Sequence, residues 1–378
     1  MNSIRRLSHE GLTGGQIKSH QVIKFENWIE IYTDGAPDSP SEVIHRQQRG
    51  TAWLLVLNNI VFAGVVALLG CADIVAGNTT NIESSSASFA VKTTLDQFPS
   101  HTEAERELEK ILQGSDIDLA LVSWLVAADI PEFKDMTGDA YFKQLDAMTD
   151  QVRQDIAKMQ KVAVARGENL DSAKTRCAIF CNAIIKLRFA YTEEFRQENV
   201  TPAMMKALYA EPNNICLAGL LRTKRGSCVS MPVIYLVMGQ RLGMPVHLVT
   251  IGKHYFIRWE ETGYRMNIEP TIVEKVSVSP DDSVYLEIEG VTREQLSGSD
   301  LRNLTSREVV GNLLFARSGY WATKGQKYVL QQRRDLSLAR QLAPDDQGIK
   351  KTYEAVFKNV GDKPKPAASE SNSKGNAL

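Results

Sequence analysis

The feature that most constrains this chain is a long uncharged stretch near its N-terminus. Between Arg49 and Asp73 lie 23 residues without a charged side chain, and residues 52–70 are apolar apart from two asparagines. About 20 such residues span the hydrocarbon core of a bilayer as a helix. Basic residues come directly before the stretch, whereas none follows it before Lys92, so the positive-inside rule places the N-terminus in the cytoplasm. We therefore expect everything after residue 71 to lie outside the cytoplasm.

The stretch ends in Leu68-Leu69-Gly70-Cys71, which resembles the lipobox of bacterial lipoproteins. Two interpretations stay open: Cys71 is lipidated after cleavage, or the stretch is an uncleaved single-span anchor. A signal peptide begins within about 30 residues of the start, so a true start near Val43 would suit the first interpretation. The N-terminal segment 1–50 is therefore either untranslated or cytoplasmic. Both interpretations tether the chain to the cell membrane or the outer membrane.

Composition and pattern divide the rest of the chain into regions. A Ser-, Asn- and Thr-rich segment after Cys71 is typical of a flexible linker, and the Pro-, Lys- and Ser-rich C-terminus is typical of disorder. The predicted regions are a signal peptide, lipobox or anchor at 51–71, a linker at 72–100, a helical region at 101–170, a core at 171–290, a second helical region at 291–360 and a tail at 361–378.

Apolar residues at three- and four-residue spacing predict several helices. The first begins at a capping box formed by Thr102 and Glu105. The others are predicted at 116–128, 138–164, 173–191, 306–336 with a break near Gly325, and 348–359.

Between residues 248 and 288 the pattern changes to short runs rich in β-branched and aromatic residues. The runs are HLVTIG, HYFIRWE, YRMNIEPT, KVSVS and VYLEIE, and they predict a small antiparallel sheet. Thr262-Gly263 lies where a hairpin turn is expected. Helices on both sides of one small sheet indicate an α+β fold.

Cys228 is the candidate nucleophile. It follows a Gly-Ser turn and precedes the apolar run VIYLVMGQRLGM, which predicts a helix. A thiol near a helix N-terminus lies at the positive end of the macrodipole, which favours the thiolate. A cysteine by itself is more often a small buried residue, as we expect for Cys177, Cys181 and Cys216, so this assignment depends on partners.

The partners follow in the predicted sheet. His254 opens one strand, and Glu269 ends the strand that returns from the turn at Thr262-Gly263, so the two side chains are expected to meet. A carboxylate there would orient the imidazole and stabilise its protonated form. Asn267, two residues earlier on the same strand face, is the alternative orienting residue.

A cysteine, a histidine at a strand start and an acid followed by Pro270-Thr271 resemble the motif of the transglutaminase-like cysteine enzyme superfamily, which usually has Asp where this chain has Glu269. The resemblance implies a papain/transglutaminase-like core, in which a helix carrying the cysteine packs on a small antiparallel sheet. It also implies a catalytic triad of Cys228, His254 and Glu269.

A second resemblance covers roughly residues 102–359. The segments DIDLA (116–120), YFKQLD (141–146), KRG (224–226) and the run 235–258 are similar to bacterial SirB-type proteins. Those combine a helical N-terminal region, a transglutaminase-like core and a C-terminal tetratricopeptide-like helical pair, here at 291–360. Many of them lack the nucleophilic cysteine, whereas this chain has Cys228.

The resemblances imply acyl transfer on peptide or isopeptide amides through a thioester, by an exported, membrane-tethered peptidase, amidase or acyltransferase. The expected oxyanion donors are the backbone N–H of Cys228 and a second group, for which Asn213, Asn214 and Tyr255 are candidates. The alternative is an inactive envelope scaffold whose helical flanks bind a protein partner, and the C-terminal helices are the candidate surface.

Charge and motif content exclude other classes of partner. The chain has 44 Lys and Arg against 45 Asp and Glu, a formal net charge of -1, so no overall field attracts nucleic acid. The sequence contains no phosphate-binding glycine loop and no zinc-ligand spacing. We therefore expect no nucleic-acid partner, no cofactor and no metal.

Overall fold

The structure is a computed structural model. It describes residues 100, 102–192, 195, 201–252, 254–271, 277–279, 281–296 and 298–358. The uncharged stretch, Cys71, the linker before Ser100 and the predicted tail lie outside these residues. Within the described ranges, no helix is both long enough and apolar enough to cross a membrane.

All described elements belong to one compact unit. The helices are α1 (Glu103–Gln113), α2 (Leu119–Ala128), α3 (Gly138–Ala165), α4 (Ala173–Ile185), α5 (Pro202–Ala210), α6 (Pro212–Ile215), α7 (Leu217–Thr223), α8 (Met231–Leu242), α9 (Ser283–Glu289), α10 (Ser306–Thr323), α11 (Val329–Leu342) and α12 (Gln347–Lys358). The strands are β1 (Ala190–Tyr191), β2 (Arg225–Gly226), β3 (Val246–Ile251), β4 (His254–Glu261), β5 (Tyr264–Glu269) and β6 (Ser277–Ser279).

The helix starts follow the capping residues in the sequence. Thr102 and Glu105 form the predicted capping box, in which each side chain accepts from the other residue's backbone N–H. Asp118 caps α2 by accepting from the backbone of Ala120 at 2.8 Å. These side chains satisfy N–H groups that the first turn of a helix leaves unpaired. Helix α1 therefore begins where the capping box predicts, whereas α2 begins at Leu119, three residues after the predicted start.

One predicted helix is too long. The pattern predicts a helix over 173–191, but α4 ends at Ile185. Arg188 has a left-handed backbone with φ 56, which a continuing helix cannot accommodate. Ala190 and Tyr191 then pair in parallel with β2, so this segment supports the chain that leads to Cys228.

The main sheet is antiparallel in the order β3-β4-β5-β6. The β4–β5 hairpin turns at Thr262-Gly263, as predicted, and Gly263 has φ 77. Residues 300–304 run along the free edge of β3, where the Leu301 N–H donates to the Thr250 carbonyl at 2.8 Å. Both long edges of β3 are therefore paired.

The run VYLEIE is not the predicted strand but part of helix α9. Its alternation of apolar and acidic residues suggested a strand, yet the helix ends at Gly290, which has φ 60, a typical helix terminator. Tyr285 and Leu286 are buried against Phe256 and other apolar residues of β3 and β4. Tertiary packing therefore decides the conformation of this segment.

The two faces of β4 have different neighbours. Trp259 contacts Phe180 of α4, and α8 packs against β3 and β4. Phe256, on the opposite face, stacks on Tyr285 of α9. Helices thus cover both sides of a single small antiparallel sheet, and the fold is α+β as predicted.

A buried charged network joins the first and last parts of the described chain. Arg317 of α10 is 1% exposed and donates two hydrogen bonds of 2.7 Å to Asp335 of α11. The same guanidinium donates to the Val126 carbonyl of α2 at 3.0 Å, and Trp321 donates to Asp335 at 2.9 Å. The predicted break near Gly325 separates α10 from α11 and lets them pack together.

Candidate active site

Cys228 lies in a tight turn between β2 and α8. The serines on either side of it are fully buried, and both hydroxyls donate to the Asn214 carbonyl, at 2.8 Å from Ser227 and 2.7 Å from Ser230. The Ser227 N–H donates to Ser230 Oγ at 3.1 Å, and the Val229 N–H donates to Ser227 Oγ at 3.0 Å. These bonds fix the backbone around the thiol, while Cys228 itself stays partly exposed.

Gly226 is required at the start of this turn. A Cβ atom there would lie 2.6 Å from Ser230 Oγ, 2.8 Å from Leu220 and 3.0 Å from Met231. The Gly226 carbonyl also accepts from the Thr192 N–H at 2.9 Å. The turn that presents the thiol therefore depends on close packing of side chains against Gly226, which a larger residue would displace.

His254 and Glu269 are brought together by the β4–β5 hairpin. The register pairs Ile257 with Ile268, and continuing it places Glu269 opposite Phe256, diagonal to His254 on the same strand face. His254 Nε2 lies 2.6 Å from Glu269 Oε2, and both side chains are nearly buried.

Thr271 holds the other oxygen of the carboxylate, a role that the sequence analysis missed. Its backbone N–H donates to Glu269 Oε1 at 3.1 Å, and its hydroxyl donates to the same oxygen at 2.6 Å. The Glu-Pro-Thr order contains the signal, because a Thr two residues after an acid can close such a local bond. Glu269 is thereby fixed before His254 binds it.

The charges in this pair reinforce each other. Burial lowers the pKa of His254, but the Glu269 carboxylate and the nearby Cys228 outweigh that effect and hold the pKa well above the ordinary histidine value. Burial raises the pKa of Glu269, but the His254 charge and the hydrogen bonds from His254 and Thr271 outweigh it and lower the pKa. Both shifts favour the charged forms, an imidazolium beside a carboxylate.

The imidazole also lies close to the candidate nucleophile. Cys228 is near enough to His254 to raise the pKa of the imidazole, and because Glu269 engages Nε2, the other ring nitrogen is the one left for sulfur. An imidazolium beside a thiol stabilises the thiolate and can supply a proton to a leaving group. The geometry therefore suits nucleophilic acyl chemistry.

Asn267, the alternative orienting residue, does not take that position. It is fully buried, its Oδ1 accepts from Arg258 at 2.7 Å, and its Nδ2 donates to Asp282 at 2.8 Å. Sharing a strand face with Glu269 is not sufficient, because Asn267 lies directly opposite Arg258. The carboxylate of Glu269 and not the amide of Asn267 therefore contacts His254.

The candidates for a second oxyanion donor differ in their placement. Asn213 donates to Glu211 at 2.6 Å, and Asn214 uses its carbonyl and its Oδ1 to support the turn around Cys228 and Thr192. Tyr255 is half-buried, and its pKa is raised by burial and by charges that include Cys228. Its phenol therefore lies within electrostatic reach of the thiol.

Tyr209 of α5 also lies within electrostatic reach of Cys228, and no sequence motif indicates it. Burial raises its pKa, and the charge of Cys228 adds to the effect. A Cβ atom at Gly319 would lie 2.8 Å from the Tyr209 ring, so a glycine of α10 makes room for it. The remaining described cysteines, Cys177, Cys181 and Cys216, are buried, as predicted.

Comparison with known families identifies the central part of the chain. Residues 139–314 match the family model Transglut_core2, described as transglutaminase-like superfamily. The match runs from α3 into α10 and includes Cys228, His254 and Glu269. Comparisons with curated proteins and with solved structures give no match. The chain thus contains a transglutaminase-like superfamily domain.

Proposed function

We propose that this domain is a cysteine acyl-transfer enzyme acting on peptide or isopeptide amides through Cys228, His254 and Glu269. The observation that carries the proposal is that one imidazole binds a buried carboxylate at 2.6 Å and lies near enough to the thiol for Cys228 to raise its pKa. The match of this region to the transglutaminase-like superfamily supports the same chemistry.

In the proposed reaction, the Cys228 thiolate attacks the amide carbonyl carbon and forms a C–S bond. The C–N bond then breaks, and the His254 imidazolium donates its proton to the departing amine, leaving a thioester. Water or a second amine attacks the thioester, His254 accepts the proton of that nucleophile, and the thiolate leaves. Water makes the enzyme a peptidase or amidase, and an amine makes it a transglutaminase.

The oxyanion of each tetrahedral intermediate needs donors beside the thiol. We propose the backbone N–H of Cys228 and the phenol of Tyr255, which lies within electrostatic reach of Cys228. Burial and neighbouring negative charge raise the pKa of Tyr255, so the phenol stays protonated and can donate.

Acylation by p-nitrophenyl acetate tests the proposal on the full-length chain. We expect a burst of p-nitrophenolate with an acetyl group on Cys228, located by peptide mass spectrometry, and its loss in Cys228→Ser and His254→Ala. Cys216→Ser is the matched control, because Cys216 is buried and free and should leave the burst unchanged. No burst in a folded wild-type chain would contradict the enzyme proposal and favour the scaffold alternative.

We also propose the finer relationship to SirB-type proteins, with residues 291–360 as the tetratricopeptide-like region. Helices α10 and α11 pack on each other in this range, which supports a paired helical repeat. These helices are the proposed surface for a protein partner.

Export and tethering to the cell membrane or outer membrane are proposed from the sequence. The uncharged residues 52–70 and the lipobox-like ending at Cys71 support them. Metabolic labelling with a palmitate analogue in a bacterial host separates the two interpretations. Label that Cys71→Ser abolishes supports the lipoprotein, unlabelled full-length chain in the membrane supports the anchor, and soluble chain contradicts both.

A further inference from the structure

The proposed catalytic histidine belongs to a group of three nearly parallel rings. Phe256 of β4 and Tyr285 of α9 stack directly, with centroids 3.8 Å apart and planes 9° apart. The His254 ring lies beside this pair, 6.3 Å from Phe256 and 6.0 Å from Tyr285, at interplanar angles of 20° and 22°. Phe256 is a neighbour of His254 in its own strand, whereas Tyr285 comes from a separate element.

Helix α9 is anchored so that Tyr285 must occupy this place. Asp282, directly before the helix, accepts from Arg258 at 2.5 Å and from Asn267 at 2.8 Å. Arg258 and Asn267 are fully buried cross-strand neighbours. Tyr285 follows Asp282 by one helical turn and is 3% exposed, so the charged anchor sets the position of the ring.

The imidazole needs such support. Glu269 binds Nε2 and Cys228 lies near the ring, but interactions at the ring nitrogens alone let the ring tilt about the line that joins those atoms. Packing against neighbouring rings restricts this motion. Excluding water also strengthens a charged hydrogen bond, because the local dielectric is lower.

We propose that Tyr285 is a positioning residue whose ring, stacked on Phe256, sets the plane of the His254 imidazole and keeps water from its hydrogen bond to Glu269. The role belongs to the aromatic ring and not to the hydroxyl group. Its catalytic consequence rests on the proposed function, whereas the protection of the hydrogen bond does not.

The charges around Tyr285 agree with this placement. Burial raises the pKa of Tyr285, and the Glu269 carboxylate raises it further, against the opposing effect of Arg258. The phenol therefore lies within electrostatic reach of the carboxylate. Asp282 is the remaining charged group that affects the phenol.

Two substitutions at this position separate the ring from other effects. Tyr285→Phe keeps the ring, and Tyr285→Leu keeps apolar volume without it. The readout is the NMR resonance of the His254 Nε2–H proton in the full-length chain labelled with ¹⁵N-histidine, and its loss in His254→Gln assigns it. We expect this resonance at low field in wild type and in Tyr285→Phe. In Tyr285→Leu we expect exchange with water to broaden it beyond detection.

The same variants are tested for alkylation of Cys228 by iodoacetamide at neutral pH. Tyr285→Leu should react about threefold to tenfold more slowly, the range that an aromatic contact of ordinary strength implies, and Tyr285→Phe should match wild type. Tyr141→Leu in α3 is the control, since Tyr141 is also buried and its ring packs against Trp124. It should lower the unfolding temperature without changing either measurement.

The outcomes distinguish this inference from the proposed function. If the folded Tyr285→Leu variant keeps both the protected proton and the wild-type alkylation rate, or if Tyr285→Phe loses the proton, the inference is wrong. If wild-type Cys228 reacts no faster than free cysteine, the proposed function is wrong. The proton resonance still decides whether Tyr285 protects the His254–Glu269 bond.

Discussion

The two carboxylate oxygens of Glu269 bind different residues. One accepts from His254, and the other accepts twice from Thr271. Because the local bonds to Thr271 form within three consecutive residues, they orient the carboxylate at little cost in chain entropy. The imidazole then meets an acceptor that is already in place.

This arrangement predicts how stability depends on pH. The pKa of Glu269 is lowered in the folded protein, so its contribution is present above the ordinary Glu value and is lost as the pH falls through the folded value. The pKa of His254 is raised, so its contribution is complete below the ordinary His value and is lost as the pH rises through the raised value. Between these limits the ion pair stabilises the fold.

Glu269→Gln is therefore expected to lower the free energy of unfolding by about 1–3 kcal/mol near pH 6, the range for hydrogen bonds to charged groups. The difference from wild type should shrink below about pH 4, where an ordinary carboxyl becomes protonated. Urea unfolding of both proteins from pH 3 to pH 8 measures this. A difference that stays constant with pH would show that charge at Glu269 does not contribute.

At the scale of elements, the strand, turn and helix around Cys228 together hold its side chain in place. Strand β2 anchors its start, two buried serines bind one carbonyl, and α8 begins directly after it. Gly226 is the residue on which this packing depends, because its neighbours leave no space for a Cβ atom.

Gly226→Ala is expected to destabilise the protein by about 1–3 kcal/mol, the usual cost of overpacking, and to slow alkylation of Cys228 by iodoacetamide. Gly114→Ala is the matched control, since a Cβ there meets its nearest atom at 3.4 Å, an ordinary contact. Thermal unfolding and alkylation rates measure both effects. Equal behaviour of the two variants would refute the importance of the turn.

The elements also explain what the sequence could and could not predict. The helix start at Thr102 and the hairpin at Gly263 depend on local chemistry, and the sequence predicts both. Helix α9 was mistaken for a strand because its conformation follows from burial of Tyr285 and from an anchor to Arg258, which lies 24 residues before Asp282. Contacts of that kind leave no periodic signal.

The same distinction holds for the candidate site. Cys228, His254 and Glu269 follow a recognisable order, and hairpin geometry alone brings two of them together. Tyr209 and Tyr285 reach the site from helices outside that hairpin, so neither spacing nor order identifies them. The choice between Glu269 and Asn267 also needed the structure, because only the pairing with Arg258 removes Asn267 from the histidine.

At the scale of the whole molecule, the Arg317 network connects the helices that precede the sheet to those that follow it. Arg317 contacts Asp335 and the carbonyl of Val126, and each of these groups lies on a different helix. Removing one member of a buried pair leaves the other charge without compensation. The stability of helices that are distant in the sequence therefore depends on this shared network.

Arg317→Met is expected to reduce the free energy of unfolding by about 3–5 kcal/mol. Arg153→Met is the control, because Arg153 and Asp150 form an exposed ion pair worth less than about 1 kcal/mol. Urea unfolding followed by tryptophan fluorescence measures both, and Trp321 reports directly because its indole donates to Asp335. Comparable losses in the two variants would contradict a joining role for Arg317.

The Cys228 turn has a consequence for how such proteins diverge. The bonds that shape it come from Ser227, Ser230 and the carbonyl of Asn214, so the sulfur atom is not among the groups that build it. A descendant could exchange this cysteine for serine or alanine and inherit the same architecture intact. Folding thus exerts no purifying pressure on the thiol through these bonds, and only selection on chemistry can maintain it over generations.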